Sequence, residues 1–196
     1  MKQITVIFFG LSGSGKGTQA KLLLEYLAKN DPDRKALYVE TGQRFRDFMD
    51  AGTYTGIKTK EVMAAGKFLP PFLPIWNWTG FLVDNFTGKE HLIFDGVCRQ
   101  PEEAPTLDSA LQFYGIEKPI ALFLSTKNEE VEERLIKRGR YDDTHEKIGE
   151  RLNAFEKNAL PAVEYFRKSP NCRFVDINGS QTIENVQKDI LKALGI

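Results

Sequence analysis

The stretch GLSGSGKGTQ, residues Gly10 to Gln19, decides the fold prediction because it joins a short apolar run to a segment with helical periodicity. The run before it is ITVIFF (4–9), and the residues after it place Ala20, Leu23 and Leu27 on one helical face. Its glycines let successive amides point inward at a helix start, where free N–H groups and the helix dipole attract phosphate. The order strand, glycine-rich loop, helix therefore predicts a phosphate-binding loop.

One position departs from the general loop pattern, in which a serine or threonine follows the lysine. Here Gly17 follows Lys16, and Thr18 comes one place late. This departure has three interpretations: a damaged nucleotide site, a chance run of glycines, or a particular kind of nucleotide enzyme. The flanking strand and amphipathic helix argue against a merely flexible turn.

Four further apolar runs alternate with segments of helical periodicity, and they are ALYVE (36–40), HLIFD (91–95), IALFLS (120–125) and CRFVDI (172–177). Strands that are apolar on both faces are typical of a covered parallel sheet. We therefore predict an α/β fold of the P-loop NTPase type, a doubly wound five-stranded parallel sheet flanked by helices. The interval between the second and third strands is too long for one crossover. It predicts a helical insertion at 41–71 and a crossover helix beginning near Pro74, within a single domain whose core is 1–40 and 72–196.

The composition narrows the function classes. Lys plus Arg number 27 and Asp plus Glu number 27 in 196 residues, so no global field draws the chain to nucleic acid or to an anionic membrane. The aromatic stretch 68–86 carries three prolines and lacks the roughly 18 unbroken apolar residues of a membrane span. Cys98 and Cys172 form no metal or disulfide spacing, which favours reduced thiols and a cytoplasmic protein.

The GKGT form of the loop is similar to that of the adenylate kinase family of nucleoside monophosphate kinases. Four more segments resemble that family in order and spacing: ETGQRFRDF (40–48), AAGKFLP (64–70), IFDGVCRQPEEA (93–104) and RLIKRGRYDD (134–143) followed by Arg151. The resemblance covers nearly the whole chain. It implies that the protein is a monomer that binds only small nucleotides, with ATP and Mg²⁺ as its cofactors, and interconverts ATP plus AMP with two ADP.

The resemblance also assigns residues to roles. The ATP site comprises Gly13, Ser14, Gly15, Lys16, Gly17, Thr18, Arg134, Arg138 and Gln181. The acceptor site comprises Thr41, Gly42, Arg46, Lys67, Phe68, Leu69, Gly96, Arg99, Glu103, Arg140 and Arg151. Catalysis falls to Lys16, Arg99, Arg138, Arg140 and Arg151, since transfer between two polyanions needs several cations at one point and planar guanidinium forks match phosphate.

Asp95 ends an apolar strand, at the edge where open α/β sheets bind ligands. We expect it to hold Mg²⁺ through water, because this ion dehydrates reluctantly. The alternative is a helix-capping aspartate. Each arginine taken singly could likewise be an ordinary surface residue, as in the pair Glu130 to Arg134 on a helix. Their joint occurrence at the family's positions favours function.

The lid is the first departure from the family pattern, because only Gly139 stands between Arg138 and Arg140, which leaves a vestigial lid at 138–143. Lids exclude water from the reaction, so slower turnover or more ATP hydrolysis is expected. Gln43 replaces an aspartate, and Cys98 replaces a proline, a change expected to alter the backbone before Arg99.

Glu103 is the second departure, because it occupies the place of a base-reading glutamine four residues after Arg99. A carboxylate only accepts hydrogen bonds and suits guanine better than adenine. This predicts AMP as acceptor with reduced selectivity, and GMP or a pyrimidine nucleotide (UMP or CMP) as the alternative. In a second interpretation Glu103 points away, and Glu102 or a backbone group reads the base.

Three function classes remain. The first is the monophosphate kinase, the second a nucleotide switch or ATPase without an acceptor, and the third a kinase for a small non-nucleotide acceptor. Thr41, Arg46 and Lys67 argue against the third class, since those positions fit a nucleotide pocket.

Two details concern a helix in the last third of the chain and the two histidines. Asp143 or Thr144 is expected to cap a long helix, which Pro161 should bend without ending. His91 and His145 match no catalytic pattern.

Overall fold

The computed structural model describes residues 1–64, 69–139 and 143–196. Its centre is a sheet of five parallel strands in the order β2-β3-β1-β4-β5. The strands are β1 (Thr5–Gly10), β2 (Ala36–Glu40), β3 (His91–Asp95), β4 (Ile120–Ser125) and β5 (Arg173–Asn178). The predicted α/β fold is confirmed, and every predicted strand agrees to within one residue at each end.

Helices connect the strands and cover both faces of the sheet. They are α1 (Lys16–Asn30), α2 (Thr41–Asp50), α3 (Tyr54–Ala64), α4 (Phe72–Asn85), α5 (Glu103–Phe113), α6 (Asn128–Arg138), α7 (His145–Ala154), α8 (Leu160–Lys168) and α9 (Ile183–Leu194). The crossover helix was predicted to begin near Pro74, and α4 begins two residues earlier, at Phe72. Pro74 lies instead in the first turn of α4, where its missing N–H removes no intrahelical bond.

The long helix near the C-terminus continues through Pro161, as predicted. Helices α7 and α8 are joined without a break by a π-helical turn, Phe155–Ala159. Such wider turns accommodate irregular backbone bonding, and this one lies directly before the helical turn that contains the proline. Of the two predicted caps, Thr144 is the cap, because its side chain accepts a hydrogen bond from the Lys147 N–H.

Two apolar layers hold the sheet. On one face α1 and α9 pack through Leu23, Leu27, Val186 and Ile190. On the other face α4, α5 and α8 pack through Trp78, Leu82, Leu107, Leu111, Val163 and Phe166. Because both faces are covered, the loops at the carboxyl ends of the strands form the edge at which a ligand can bind. Within the described ranges, no helix combines the length and apolarity that crossing a bilayer requires.

His91 joins β3 to the N-terminal segment through a fully buried side chain. Its Nδ1 accepts a hydrogen bond from the Ile4 N–H at 3.1 Å, and its Nε2 lies 3.2 Å from Asp31 Oδ2. Burial lowers the pKa of His91 below its usual 6.5, against the opposing effect of the Asp31 carboxylate. A proton on Nδ1 would also remove the bond to Ile4, so the neutral imidazole is the form that fits.

The folded protein should lose stability as the pH falls below about 6.5, because unfolded His91 takes up a proton that the folded form resists. We expect this loss in urea unfolding of the wild type between about pH 7.5 and 5.5, at up to about 1.4 kcal/mol per unit of pKa lowering. His91→Gln, although less stable at pH 7.5, should show a flatter dependence, whereas the exposed control His145→Gln should follow the wild type. Equal slopes for wild type and His91→Gln would contradict the assignment.

Candidate active site

The glycine-rich loop between β1 and α1 forms the base of the candidate site. Gly15 caps α1 with φ 99°, a backbone conformation that L side chains rarely adopt, and so lets the loop turn directly into the helix. Lys16 is the first residue of α1, and its Nζ donates to the carbonyl oxygens of Gly10 and Leu11, each at 2.7 Å. The ammonium group therefore lies across the loop.

The other predicted residues of the loop differ in backbone conformation and in burial. Gly13 and Gly15 have positive φ angles, the Ser14 side chain is buried, Gly17 lies in the first turn of α1, and Thr18 is exposed. The first N–H groups of α1 are the donors that this geometry offers to an anion.

The pKa of Lys16 indicates that two of the predicted arginines lie near the phosphate loop. Burial lowers the pKa of Lys16 to about 8. The Asp95 carboxylate opposes this shift, and the positive charges of Arg99 and Arg138 lower the pKa further. Two arginines from different segments thus lie within electrostatic reach of the loop lysine, as positioning of a phosphoryl group between cations requires.

Asp95 ends β3 beside the loop, with its side chain largely buried. A Cβ atom at Gly17 would lie 3.3 Å from Asp95 Oδ2, so the carboxylate lies against the backbone position that bears a hydroxyl in the general pattern. Tyr38 of β2, which no sequence pattern selected, donates its phenol O–H to the same oxygen at 2.8 Å. Burial and the nearby Asp95 raise the pKa of Tyr38 above its usual 10, so the phenol remains a donor.

The Asp95 carboxylate at the edge of the phosphate loop fits the way in which proteins bind Mg²⁺. The ion is commonly held by one or two carboxylates together with substrate phosphates and waters. Among residues 1–64, 69–139 and 143–196 no group of three or more His, Cys, Asp or Glu is arranged as an all-protein metal site. A single carboxylate at the edge of a phosphate loop is the donor set that suits a nucleotide-bound Mg²⁺.

Thr41 and Arg99 meet at Gly96, just after β3. The Thr41 hydroxyl donates to the Gly96 carbonyl oxygen at 2.8 Å, and Arg99 Nε donates to the same oxygen at 2.9 Å. A Cβ at Gly96 would lie 2.6 Å from Arg99 NH2, and its φ is 76°, so only glycine allows the arginine to fold back in this way. The predicted acceptor residues from two segments therefore come together.

Arg46 lies on α2 with its guanidinium held by neighbours. Its Nε and NH2 groups donate to Gln43 Oε1 at 3.0 and 2.7 Å, and NH2 lies 3.6 Å from Glu40 Oε1. Gly42 lies alongside, since a Cβ there would be 3.5 Å from Arg46 NH1.

The end of the insertion contacts the loop after β3, because the Leu69 carbonyl accepts from Gln100 Nε2 at 2.9 Å. Two other predicted acceptor residues, Lys67 and Phe68, lie outside the described residues. So does the predicted catalytic residue Arg140, and with it part of the vestigial lid.

Two of the predicted catalytic arginines, Arg138 and Arg151, share one carboxylate. Arg138 donates through Nε and NH2 to the two oxygens of Asp143 at 2.9 and 2.8 Å, and Arg151 NH1 donates to Asp143 Oδ1 at 2.9 Å. The Asp143 side chain is fully buried, whereas both arginines are about one-third exposed or less. Asp143, the alternative to Thr144 as the predicted cap, therefore holds two predicted catalytic arginines side by side.

Arg134 and Gln181 lie near the loop after β5. Arg134 NH2 donates to Glu130 Oε2 at 3.2 Å, the expected helix pair, and also to the Gly179 carbonyl at 3.1 Å. Gln181 Nε2 donates to the Asn178 carbonyl at 3.0 Å. Arg134 is thereby tied to the loop that carries Gln181, which brings these two predicted ATP-binding residues into one neighbourhood.

The oxygens of Glu103 are occupied by backbone donors, which favours the interpretation in which this residue does not read the base. Its side chain is 1% exposed, and its oxygens accept from the backbone N–H groups of Cys98, Arg99 and Gln100 at 3.2, 2.9 and 3.1 Å. Burial raises the pKa of Glu103, while these donors and the Arg99 charge lower it. Because both oxygens accept, the ionised carboxylate is the form that fits. Glu102, its exposed neighbour, stands at the N-cap of α5.

The backbone at Cys98 differs as expected from one with proline at this position. Its φ is 59°, whereas the proline ring holds φ near −65°. Its N–H also donates to Glu103, a bond that proline cannot make. Cys98 and Glu103 therefore act together to shape the loop that carries Arg99.

Glu103→Gln should lower stability, because an amide has one acceptor oxygen where three backbone donors now meet two. Leaving one buried donor unpaired costs about 1 to 3 kcal/mol. Urea unfolding at pH 7 measures the loss, and Glu102→Gln provides the matched change at an exposed neighbour. If Glu103→Gln is as stable as Glu102→Gln, Glu103 does not hold this loop.

Binding of a nucleoside triphosphate should be accompanied by proton uptake above about pH 8, since phosphate at the loop raises a Lys16 pKa that is about 8 without it. Calorimetric titrations near pH 8.5, in two buffers of different ionisation enthalpy, measure the uptake, and the affinity should fall as the pH rises further. A titration near pH 6.5 is the control, because Lys16 is charged there before and after binding. No uptake at the higher pH would place Lys16 away from the phosphates.

Comparison with known proteins agrees with this geometry. A family model described as adenylate kinase matches residues 8–171. An adenylate kinase of Bacteroides fragilis is 31% identical over 195 residues, covering 97% of this chain and 98% of the relative. Adenylate kinase 1 of a Nostoc species is 31% identical over 190 residues with the same coverage. An adenylate kinase of Leptospira biflexa is 32% identical over 196 residues, covering 96% of this chain and 98% of the relative. The chain belongs to the adenylate kinase family.

Proposed function

We propose that the protein transfers the γ-phosphoryl group of ATP reversibly to AMP, which yields two molecules of ADP. The observation that carries the proposal is that Asp95, Arg99 and Arg138 all lie within electrostatic reach of Lys16 at the phosphate loop. These residues come from four separate segments of the chain, and the fold brings three of their charges within reach of the loop lysine. Transfer between two phosphates needs such a cluster, because both reactants are polyanions.

The two substrates would approach from opposite sides of this cluster. The N–H groups at the start of α1 and the Lys16 ammonium would bind the β- and γ-phosphates of ATP. Arg99 and Arg46 would bind the phosphate of AMP by their planar forks. An oxygen of that phosphate attacks the γ-phosphorus, and the bond to the bridging β-oxygen breaks. The attacking oxygen is already ionised near neutral pH, so no general base is needed.

Arg138 and Arg151 would stabilise the charge that spreads over the transferred group, the role that arginine fingers have in other phosphotransferases. Their shared contact with the buried Asp143 supports this role, because it orients both guanidinium groups before substrate binds. The proposal includes Arg140 in the same group and Lys67 and Phe68 beside the AMP base. Arg134 and Gln181 would contact the ATP base from the loop after β5.

Asp95 would hold Mg²⁺ through water on the ATP phosphates, and the ion supplies charge neutralisation when bound. The proposal also includes a cytoplasmic monomer without nucleic-acid or membrane partners. Both cysteines are free, as expected in a reducing compartment. The proposed domain division, a core of 1–40 and 72–196 with a monophosphate-binding insertion at 41–71, is supported by α2 and α3, which lie between β2 and α4.

AMP should be the preferred acceptor, because the inward-facing Glu103 presents no carboxylate to the base. The test is coupled ADP production with AMP, GMP, CMP and UMP in turn, compared by kcat/KM. We expect AMP to rank first and Glu103→Gln to leave that order unchanged, since bonds to a base are worth about 1 to 3 kcal/mol only where they are made.

Two outcomes would contradict this proposal. ATP turnover that is fast and independent of added monophosphate would favour an ATPase or switch without an acceptor. A reversal of the order of AMP and GMP in Glu103→Gln would mean that Glu103 reads the base after all.

A further inference from the structure

Tyr38 and Asp95 form a hydrogen bond between neighbouring strands at the site edge of the sheet. The Tyr38 hydroxyl donates to Asp95 Oδ2 at 2.8 Å. In the parallel register of β2 and β3, Tyr38 pairs with Ile93 and Glu40 with Asp95. Tyr38 is therefore two residues upstream of the position beside Asp95, and its long side chain reaches forward along the sheet to the carboxylate.

The same carboxylate oxygen faces α1. A Cβ at Gly17 would lie 3.3 Å from Asp95 Oδ2, so this oxygen lies between the start of α1 and the phenol. In phosphate loops with a serine or threonine after the lysine, that hydroxyl and a strand-end aspartate hold the metal together. Gly17 supplies no such hydroxyl, and the one beside Asp95 comes from β2 instead.

We propose that Tyr38 is a positioning residue that fixes one oxygen of Asp95 and so directs the other toward a water of the nucleotide-bound Mg²⁺. The inference rests on the proposed function, since it presumes that Mg²⁺ and ATP bind at this edge. It adds a role for a residue on a strand that neither the loop pattern nor the family resemblance selects.

The charges around Asp95 explain why its carboxylate needs a second hydrogen-bond partner. Lys16 lies within electrostatic reach of the carboxylate and attracts it. A carboxylate without a second partner would turn toward that ammonium, and its geometry toward a metal-bound water would be lost. Partners that orient metal-binding groups are commonly worth about 10- to 100-fold in metal affinity or activity.

The experiment compares binding of the β,γ-imido analogue of ATP, by calorimetry, in excess Mg²⁺ and in EDTA. The ratio of the two dissociation constants measures what Mg²⁺ contributes to binding, separately from turnover. For Tyr38→Phe we expect this ratio to fall by about tenfold, while the dissociation constant in EDTA changes by less than about twofold. The concentration of free Mg²⁺ that half-saturates ADP production should rise in parallel.

The chain contains a matched control. Tyr165 donates to Asp108 Oδ2 at 2.9 Å, a bond of the same type between α8 and α5 on the far face of the sheet. Tyr165→Phe removes an equivalent hydroxyl and should leave the Mg²⁺ ratio at its wild-type value. Urea unfolding of both variants separates a loss of stability, which either change can cause, from the metal effect expected only for Tyr38→Phe.

The outcomes separate this inference from the proposed function. If the wild type binds the analogue and turns over AMP, but Tyr38→Phe keeps the wild-type Mg²⁺ ratio, the positioning role is wrong. It is also wrong if the wild-type ratio is near one, or if Tyr38→Phe weakens binding equally in Mg²⁺ and EDTA, since Tyr38 would then shape the cleft without acting on the metal. A wild type that binds no analogue under either condition would instead overturn the proposed function.

Discussion

The burial of positive charge at the phosphate loop is the constraint on which the rest of the site depends. Burial lowers the pKa of Lys16 most, and the positive charges of Arg99 and Arg138 lower it further, so the charged ammonium costs free energy in the folded protein. Carboxylates offset this cost: Asp95 acts on Lys16, and the buried Asp143 binds Arg138 and Arg151. A polyphosphate can offer the same cations more negative charge than these carboxylates do. The acidic residues thus orient the cations without fully neutralising their positive charge.

The sheet makes that charge cluster possible. Parallel order brings the carboxyl ends of β1, β2 and β3 to one edge. The phosphate loop, Glu40 and Asp95 therefore become neighbours, although Gly10 at the start of the loop and Asp95 are 85 positions apart in the sequence. Helices bury both faces, which leaves this edge as the place for loops with positive φ and charged side chains. Apolar packing therefore supplies the rigidity, and the loops supply the chemistry.

The packed sheet could be predicted from the sequence more fully than the side-chain contacts in the loops. The strands were predictable to within a residue because each contains a short apolar run, which is continuous in the buried strands β1 and β3. The phosphate loop was predictable because its glycines have a steric reason. The start of α4 was predicted to within two residues, because proline is typical of the first helical position but fits anywhere in the first turn. The direction in which Asp143 and Glu103 point was not predictable. It depends on which buried donors need an acceptor, and those donors belong to backbone or to distant arginines.

Glu103 and Tyr38 both make contacts that the family pattern does not specify. A family pattern assigns roles by position, whereas the folded chain assigns them by which donors meet which acceptors. At position 103 a carboxylate is demanded by three converging N–H groups, one of them from Cys98, whose φ of 59° a proline could not adopt. At position 17 the hydroxyl is absent, and a phenol two residues before the end of β2 meets the same aspartate. In both places the donors and acceptors of the site are kept in balance by residues that the pattern does not specify, because a buried carboxylate must be hydrogen-bonded wherever its partners come from.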